Sequence, residues 1–244
     1  MRGALTRRSG TTFAAVKLPD MIVQIYEVTS AEEARALSTF AVDHIGVLVG
    51  DGAFPREQSI EQAGKIFAAI SAPSKGSALS LSADLNWISK IVSELNPAIL
   101  HLGAHTDLLL PTDVAVLKRR FPFLPIMRSI PVVGSESVPV AKSYDGIADF
   151  LLLDSHKPGD KQVGALGITH DWNLDRQIVE SVGIPVIMAG GLGAENVVQA
   201  IQSVHPAGVD SKTKTDKKDG SHTKDLEEVR KFTEAARGIR FRRS

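Results

Sequence analysis

The sequence predicts a single-domain α/β fold, a closed (β/α)8 TIM barrel. Short runs rich in leucine and β-branched residues alternate with stretches of helical periodicity, and eight such pairs follow one another. No linker divides the 244 residues into two domains. An open, doubly wound sheet is the alternative, but its first strand usually leads into a GxGxxG turn, and residues 26–30 contain no glycine.

The eight predicted strands are mostly apolar on both faces, which is typical of strands covered by helices. In chain order they span residues 22–28, 44–49, 77–82, 98–102, 125–130, 149–154, 184–189 and 207–210. Helices are predicted where apolar residues recur three and four positions apart, most clearly over residues 60–70, 88–95, 174–182 and 197–201. Weaker helical stretches follow Ser30, Pro111, Pro139 and Thr223. Ser30, Ser59 and Asp84 are predicted N-caps, since their short side chains can accept from the first helical turn.

Composition excludes several classes of protein. The 28 basic residues equal the 28 acidic ones, which argues against a nucleic-acid binder. Zero cysteines exclude disulfides, zinc–cysteine sites and thiol catalysis, and are compatible with a reducing cytoplasm. No stretch approaches the roughly eighteen consecutive apolar residues that a membrane span requires. We therefore expect a cytoplasmic protein with no nucleic-acid or membrane partner.

The two ends of the chain differ from its middle. Residues 1–20 are predicted to be a poorly ordered leader that precedes a second methionine, Met21. Their basic composition also fits a transit peptide, but no long apolar core follows the arginines as a secretory signal requires. The barrel is expected to occupy residues 21–238, and residues 239–244 to form a basic tail.

Functional groups of a TIM barrel gather at the carboxyl ends of its strands. The polar residues predicted there are Tyr26, Glu27, Arg56, His101, His105, Arg128, Asp154, Asp210 and Ser211. A glycine pair, Gly190–Gly191, also joins a buried strand to a helix start, an arrangement that lets backbone N–H groups approach an anion. With the polar loop after the eighth strand, this turn predicts a phosphate site; a tight turn without a ligand is the alternative.

Four segments in the second half of the chain resemble phosphoribosylanthranilate isomerase in order and spacing. They are FLLLDS at 150–155, GALGITHDW at 164–172, PVIMAGGLGAENV at 185–197 and GVDS at 208–211. The first half is similar more faintly, at residues 23–30, 32–34 and 54–59. The resemblance spans residues 22–238.

The resemblance implies an Amadori rearrangement without metal or cofactor, in which an aminoaldose phosphate becomes an aminoketose phosphate during tryptophan synthesis. A general acid opens the sugar ring and a general base moves a proton from C2. The resemblance places Asp154 on the acid and Arg56 on an arginine that contacts substrate; a purely structural role, capping a loop amide, is the alternative for Asp154. The implied phosphate-binding positions are Gly190, Gly191, Ser211 and Lys212.

The departures from the family cluster in the site. Tyr26 replaces the cysteine base of a Lys-x-Cys-Gly-Ile-Thr strand end, and Glu27 replaces the glycine. Tyrosine is a poor base at neutral pH because its ordinary pKa is about 10. Glu27 suits the task better, since desolvation can raise the pKa of a carboxyl toward neutrality. His101 and His105 are candidates for substrate binding or for the same proton transfer.

A preserved fold with a changed site is typical of a protein whose substrate has changed or whose activity has been lost, because function depends on the residues of the site and not on the fold alone. The leading hypothesis is therefore an isomerase of a phosphorylated sugar, in tryptophan biosynthesis or as a diverged relative whose activity is weak or directed to another substrate. The alternative is a non-catalytic barrel that binds a phosphorylated metabolite or a partner protein. Either is expected to be a monomer or a homodimer. The lysine-rich run 211–220 is expected to be solvated, unless Lys212 or Lys214 contacts the phosphate.

Overall fold

The computed structural model of the chain describes residues 21–155 and 171–238. The predicted leader at 1–20 and the basic tail at 239–244 lie outside these ranges, as does most of the segment 164–172 that contributes to the family resemblance. The description below concerns the two ranges only.

Eight parallel strands close into a barrel in sequence order, with β1 paired to both β2 and β8. The strands are β1 Ile22–Ile25, β2 His44–Leu48, β3 Lys75–Ser80, β4 Ile99–Leu102, β5 Ile126–Val132, β6 Phe150–Ser155, β7 Val186–Met188 and β8 Gly208–Ser211. Each strand is followed by a helix on the outside. The helices are α1 Ala31–Thr39, α2 Ile60–Phe67, α3 Leu85–Leu95, α4 Pro111–Arg120, α5 Ser137–Ser143, α6 Trp172–Ser181, α7 Val197–Val204 and α8 Leu226–Arg237. The predicted TIM barrel is confirmed.

The predicted helix starts are confirmed by their caps. The side chains of Ser30, Ser59 and Asp84 accept hydrogen bonds from backbone N–H groups in the first turns of α1, α2 and α3. Each cap satisfies an N–H group that has no partner within the helix. The loops before these helices therefore end where the sequence predicts.

Five strand boundaries differ from the sequence prediction by more than one residue, and the end of β1 is the one that matters most to the site. Strand β1 ends at Ile25, three residues before the predicted end, because Glu27 adopts a left-handed backbone with φ of 57°. Tyr26 and Glu27 thus belong to the loop at the barrel mouth. Strand β3 begins at Lys75, two residues before its predicted start.

The core has an outer layer and an inner one. Two large apolar clusters fill the space between the barrel and its helices. A smaller cluster joins Tyr26 to Met127, Leu152 and Ile187 of β5, β6 and β7. Tyr26 follows β1, which pairs with β2 and β8 and with none of those three strands, so the four side chains meet inside the barrel. This inner layer forms a floor beneath the carboxyl end. Within the described ranges, no helix is both long enough and apolar enough to cross a membrane.

Candidate active site

Two adjoining pockets open at the carboxyl ends of the strands. The first is lined by Tyr26, Glu27, Leu48, Leu79, Leu81, His101, Ser129, Leu152, Asp154, Asp210 and Lys212. The second is lined by Asp154, Gly190, Gly191, Leu192, Asp210, Ser211, Lys212, Thr213 and Lys214. Asp154, Asp210 and Lys212 line both, so these three side chains form the wall between the pockets.

Tyr26 is held in the barrel by its hydroxyl and by its ring. The hydroxyl lies 2.6 Å from Ser77 Oγ and 2.7 Å from His101 Nδ1. Its ring lies over Gly46 of β2, where an added Cβ would come within 2.1 Å of the ring carbons. Burial raises the pKa of Tyr26 well above its ordinary value, and the charge of Asp210 adds to this against the opposing hydrogen bond of Ser77. Tyr26 is therefore a neutral phenol and cannot act as the base.

His101 is a neutral imidazole at the floor of the first pocket. Its Nε2 lies 2.7 Å from Ser129 Oγ, so both ring nitrogens have hydroxyl partners. Burial, together with the positive charge of Arg128, lowers the pKa of His101 to about 3. His101 lines the pocket as predicted for a substrate-binding residue, but it is poorly suited to take a proton at neutral pH.

Arg128 has a structural task. Its guanidinium is fully buried and donates to the backbone carbonyls of Leu102 and Ala104 at 2.8 and 2.7 Å. It also lies 5.2 Å from the ring centroid of Tyr144. Arg128 thus fixes the loop that follows β4 and does not line either described pocket.

Glu27 forms an ion pair with Arg56. Its carboxylate accepts from Arg56 Nε at 2.6 Å and from a terminal nitrogen at 3.2 Å. Burial alone would raise the pKa of Glu27, but the hydrogen bond from Arg56 and the charges of Lys212 and Arg56 outweigh it, so the pKa lies below its ordinary value. The expectation of a raised pKa is wrong, because the sequence does not reveal the cations that surround this carboxyl.

Arg56 and His105 are not among the lining residues of the two described pockets. Arg56 uses two of its nitrogens on Glu27 and is not among the residues that line either described pocket. His105 lies in the loop after β4, where its Nδ1 accepts from the backbone N–H of Asp107 at 3.3 Å. His105 also lines neither pocket. Substrate contact by these two residues stays a prediction.

A charge network extends from Glu27 into the loop after β8. Lys212 Nζ lies 3.5 Å from Glu27 and 2.8 Å from Asp216, and its side chain is only 10% exposed. Asp216 also accepts from the buried Lys224 at 2.6 Å. Burial lowers the pKa of Lys224, against the opposing charge of Asp216. The expectation of a solvated run therefore fails at Asp216 and at Lys212, whose ammonium is fixed in the wall between the pockets.

The turn after β7 forms one side of the second pocket. Gly190 and Gly191 have positive φ angles of 82° and 64°, which residues with a Cβ rarely adopt. Asn196 orders the turn by accepting from the backbone N–H of Gly193 and donating to the carbonyl of Gly191. Ser211 Oγ donates to the carbonyl of Leu192 at 2.7 Å and so joins the end of β8 to this turn. The structure thus brings the four predicted phosphate-binding residues to one pocket.

Asp154 lies near the end of β6, half-buried in the wall between the pockets. One carboxylate oxygen accepts from the backbone N–H of Ser155 at 2.7 Å and lies 3.3 Å from the Ser155 hydroxyl. Asp210 of β8 lines the same wall. The sequence predicts Asp210 at the barrel mouth but gives it no chemical role; the signal that points to it is a single acid near the carboxyl end of a short strand.

Comparison with known proteins identifies relatives of this chain. Residues 57–235 match the family model of N-(5'phosphoribosyl)anthranilate (PRA) isomerase. An N-(5'-phosphoribosyl)anthranilate isomerase of Methanocella arvoryzae is 32% identical over 218 residues, which are 88% of this chain and 97% of the relative.

Solved structures agree with the fold. The phosphoribosyl anthranilate isomerase of Thermus thermophilus has a TM-score of 0.75 at 20% identity, covering 90% of this chain and all of that one. A phosphoribosyl anthranilate isomerase bound to reduced 1-(o-carboxyphenylamino)-1-deoxyribulose 5-phosphate has a TM-score of 0.71 at 19% identity, with the same coverage. The family match and the similarity to the Methanocella protein establish kinship beyond the shared fold: this chain belongs to the N-(5'-phosphoribosyl)anthranilate isomerase family.

Proposed function

We propose that the chain converts N-(5'-phosphoribosyl)anthranilate, or a close analogue, into the corresponding aminoketose phosphate, a step of tryptophan biosynthesis. The observation that carries this proposal is the pair of pockets that share Asp154, Asp210 and Lys212. The second pocket adds the glycine turn and Lys214, which suit an anion, and the carboxyls suited to proton transfer stand in the wall that it shares with the first pocket. A phosphorylated sugar that spans the wall would place its phosphate and its reacting carbons on opposite sides.

The second pocket supplies the phosphate site of this proposal. Gly190 and Gly191 allow backbone N–H groups to approach an anion, and Lys212 adds a positive charge held in place by Asp216. Ser211 fixes the turn on which the glycines lie. The related structure that contains a bound aminodeoxyribulose phosphate supports a ligand of this chemical class.

The first pocket supplies the proton transfers. Ring opening needs a proton donor at the ring oxygen, and isomerisation needs a base at C2. Asp154 lines both pockets and is proposed as one of these two groups, as its family position implies. Tyr26 and His101 form the neutral floor on which the sugar would lie, since neither can take a proton at neutral pH.

The reaction is proposed to take place in the cytoplasm, in a monomer or a homodimer that binds the phosphorylated substrate. The test is complementation of an isomerase-deficient tryptophan auxotroph by the natural chain, with an assay of the purified protein on N-(5'-phosphoribosyl)anthranilate. Growth and turnover support the proposal. Growth only with the double variant Tyr26→Cys, Glu27→Gly would show that family chemistry has been lost at the first strand end. Growth with neither would leave a barrel that binds without catalysis.

A further inference from the structure

Asp210 is a buried carboxyl in the wall between the two pockets. Only 6% of the residue is exposed, yet it lines both pockets. Its Oδ1 atom is buried without a hydrogen-bond partner. Buried polar atoms are nearly always paired, because an unpaired one costs about 1–3 kcal/mol. An unpaired carboxyl oxygen at a pocket wall indicates a group kept for a ligand.

The charges around Asp210 favour its neutral form. The titratable groups that face it from neighbouring elements are Asp154 of β6, Tyr26 and Glu27 after β1, and Lys224 before α8. Burial raises the pKa of Asp210 well above its ordinary value, the negative charge of Asp154 raises it further, and Gln24 and Lys224 oppose these effects. Two acids that share one site ionise in separate steps, so one can donate a proton while the other accepts one.

We propose that Asp210 and Asp154 form the acid–base pair of this enzyme, with Asp210 as the proton donor and Asp154 as the base in place of the missing thiol. The inference rests on the proposed function. It reverses the role that the family resemblance implies for Asp154. One oxygen of the Asp154 carboxylate accepts from the backbone N–H of Ser155 and lies near its hydroxyl, whereas Asp210 Oδ1 is buried without a hydrogen-bond partner. This difference in hydrogen bonding assigns the role of base to Asp154 and the role of donor to Asp210.

The proton transfers balance within this pair. Asp210 gives its proton to the ring oxygen as the C1–O bond breaks, and the nitrogen lone pair forms the C1=N bond of an iminium. Asp154 then takes the proton of C2, the C–H electron pair forms C1=C2, and the C=N pair returns to nitrogen. Finally the enol hydroxyl gives its proton to Asp210 while Asp154 returns its proton to C1. Both carboxyls end in their starting states, and the product is the aminoketose.

The test combines kinetics with a measurement on the resting protein. Asp210→Asn keeps the shape of the neutral acid but cannot transfer a proton to the ring oxygen, so kcat should fall by about two to four powers of ten. The natural protein should lose activity as pH rises and Asp210 ionises, and this alkaline limb should be absent from the residual activity of the variant. Infrared spectra of the unliganded natural protein at pH 7 should contain the carbonyl stretch of a protonated carboxyl that Asp210→Asn removes. Glu94→Gln on the exposed face of α3 is the control and should change neither readout.

The outcomes separate this inference from the proposed function. Turnover that persists unchanged in Asp210→Asn overturns the acid–base pair and leaves the function intact. A natural protein that carries the infrared band yet does not convert N-(5'-phosphoribosyl)anthranilate overturns the substrate assignment while supporting a neutral Asp210. Absence of the band overturns the role of Asp210 as donor even if the variant does not fold, because this measurement needs only the natural chain.

Discussion

The polar side chains at the carboxyl end of β1 and those at the carboxyl end of β8 differ in whether they have partners within the protein. At the first strand end, Tyr26 is engaged by Ser77 and His101, and Glu27 by Arg56. At the eighth strand end, Asp210 keeps an unpaired oxygen in the wall of both pockets. The side chains of Tyr26 and Glu27 at the first strand end are hydrogen-bonded within the protein, whereas Asp210 at the eighth strand end has a carboxyl oxygen that a ligand can bind.

This difference coincides with one of the departures from the family. Tyr26 and Glu27, at the first strand end, replace the cysteine and glycine of the family pattern, and neither lines the second pocket. The glycine turn keeps the family's pattern at residues 190–191, whereas Lys212 and Thr213 after β8 depart from the family's Ser-Ser-Gly. We therefore expect substitutions at the eighth end to impair function and those at the first end to change stability.

The largest effect is expected from Asp154→Asn. The amide keeps the shape of the carboxyl but cannot exchange the proton, so turnover should fall by about two to four powers of ten while phosphate affinity stays near normal. Steady-state kinetics and phosphate binding by calorimetry measure the two quantities. Unchanged turnover, or a loss of several kcal/mol of folding free energy, would assign Asp154 a structural role and weaken the contrast between the two ends.

Gly191→Val should abolish phosphate or sulfate binding without unfolding the barrel. A side chain at this position would block the approach of the anion and would strain a backbone with φ of 64°. Gly146→Val is the matched control, because Gly146 has φ of 75° and open space but lies outside the second pocket. Equal loss of anion affinity in both variants would show that strain, not access, controls binding. A sulfate-soaked crystal of the natural protein should show the anion at the glycine turn.

Gly46→Ala tests how tightly the first end is packed. The added Cβ would lie 2.1 Å from the ring of Tyr26, so the substitution should lower the free energy of unfolding by about 2 kcal/mol. In a Tyr26→Cys background the ring is gone, and the same substitution should cost much less. Urea unfolding of the four proteins measures this coupling. If Gly46→Ala lowers the free energy of unfolding equally in both backgrounds, the Tyr26 ring moves aside to make room, and the first strand end is not tightly packed.

The smallest expected effect is the difference in stability between two substitutions of Glu27. It separates the loss of the carboxylate charge from the relief of backbone strain. Glu27→Gln should cost about 2 kcal/mol at neutral pH, because Arg56 loses its carboxylate partner at a mostly buried site and Lys212 keeps only Asp216. Glu27→Gly removes the same charge but relieves the left-handed backbone at φ of 57°, so it should cost about 1 kcal/mol less. Thermal unfolding compares the two.

The pH dependence of the Glu27 contribution has a definite sign. Because its pKa is lowered on folding, the stabilisation is present at neutral pH and is lost as pH falls below the ordinary value of 4.5 and through the folded value. The stability difference between the natural protein and Glu27→Gln should therefore shrink in acid. A difference that grows in acid would contradict the ion pair as its cause.

Sequence patterns predicted most of the fold because they act locally. Strand and helix periodicity, three N-caps and the glycine turn depend on residues within one element, and the structure reproduces them. The one strand end that shifted by three residues is at Glu27, where a glutamate adopts a backbone that the family's glycine would take without strain. Single-sequence reasoning assigns such a conformation to glycine and not to glutamate.

By itself, the sequence determined the barrel, its closed order and the end at which polar groups gather. Only the tertiary structure decided which of those groups have partners. Glu27 meets Arg56 across 29 positions, and Tyr26 meets His101 across 75. The raised pKa of Asp210 likewise depends on burial and on the charge of Asp154, which lies two strands away in the closed barrel. Periodicity is a local property of the chain, whereas desolvation and charge are summed over every element that surrounds a side chain, so they emerge only when the barrel closes.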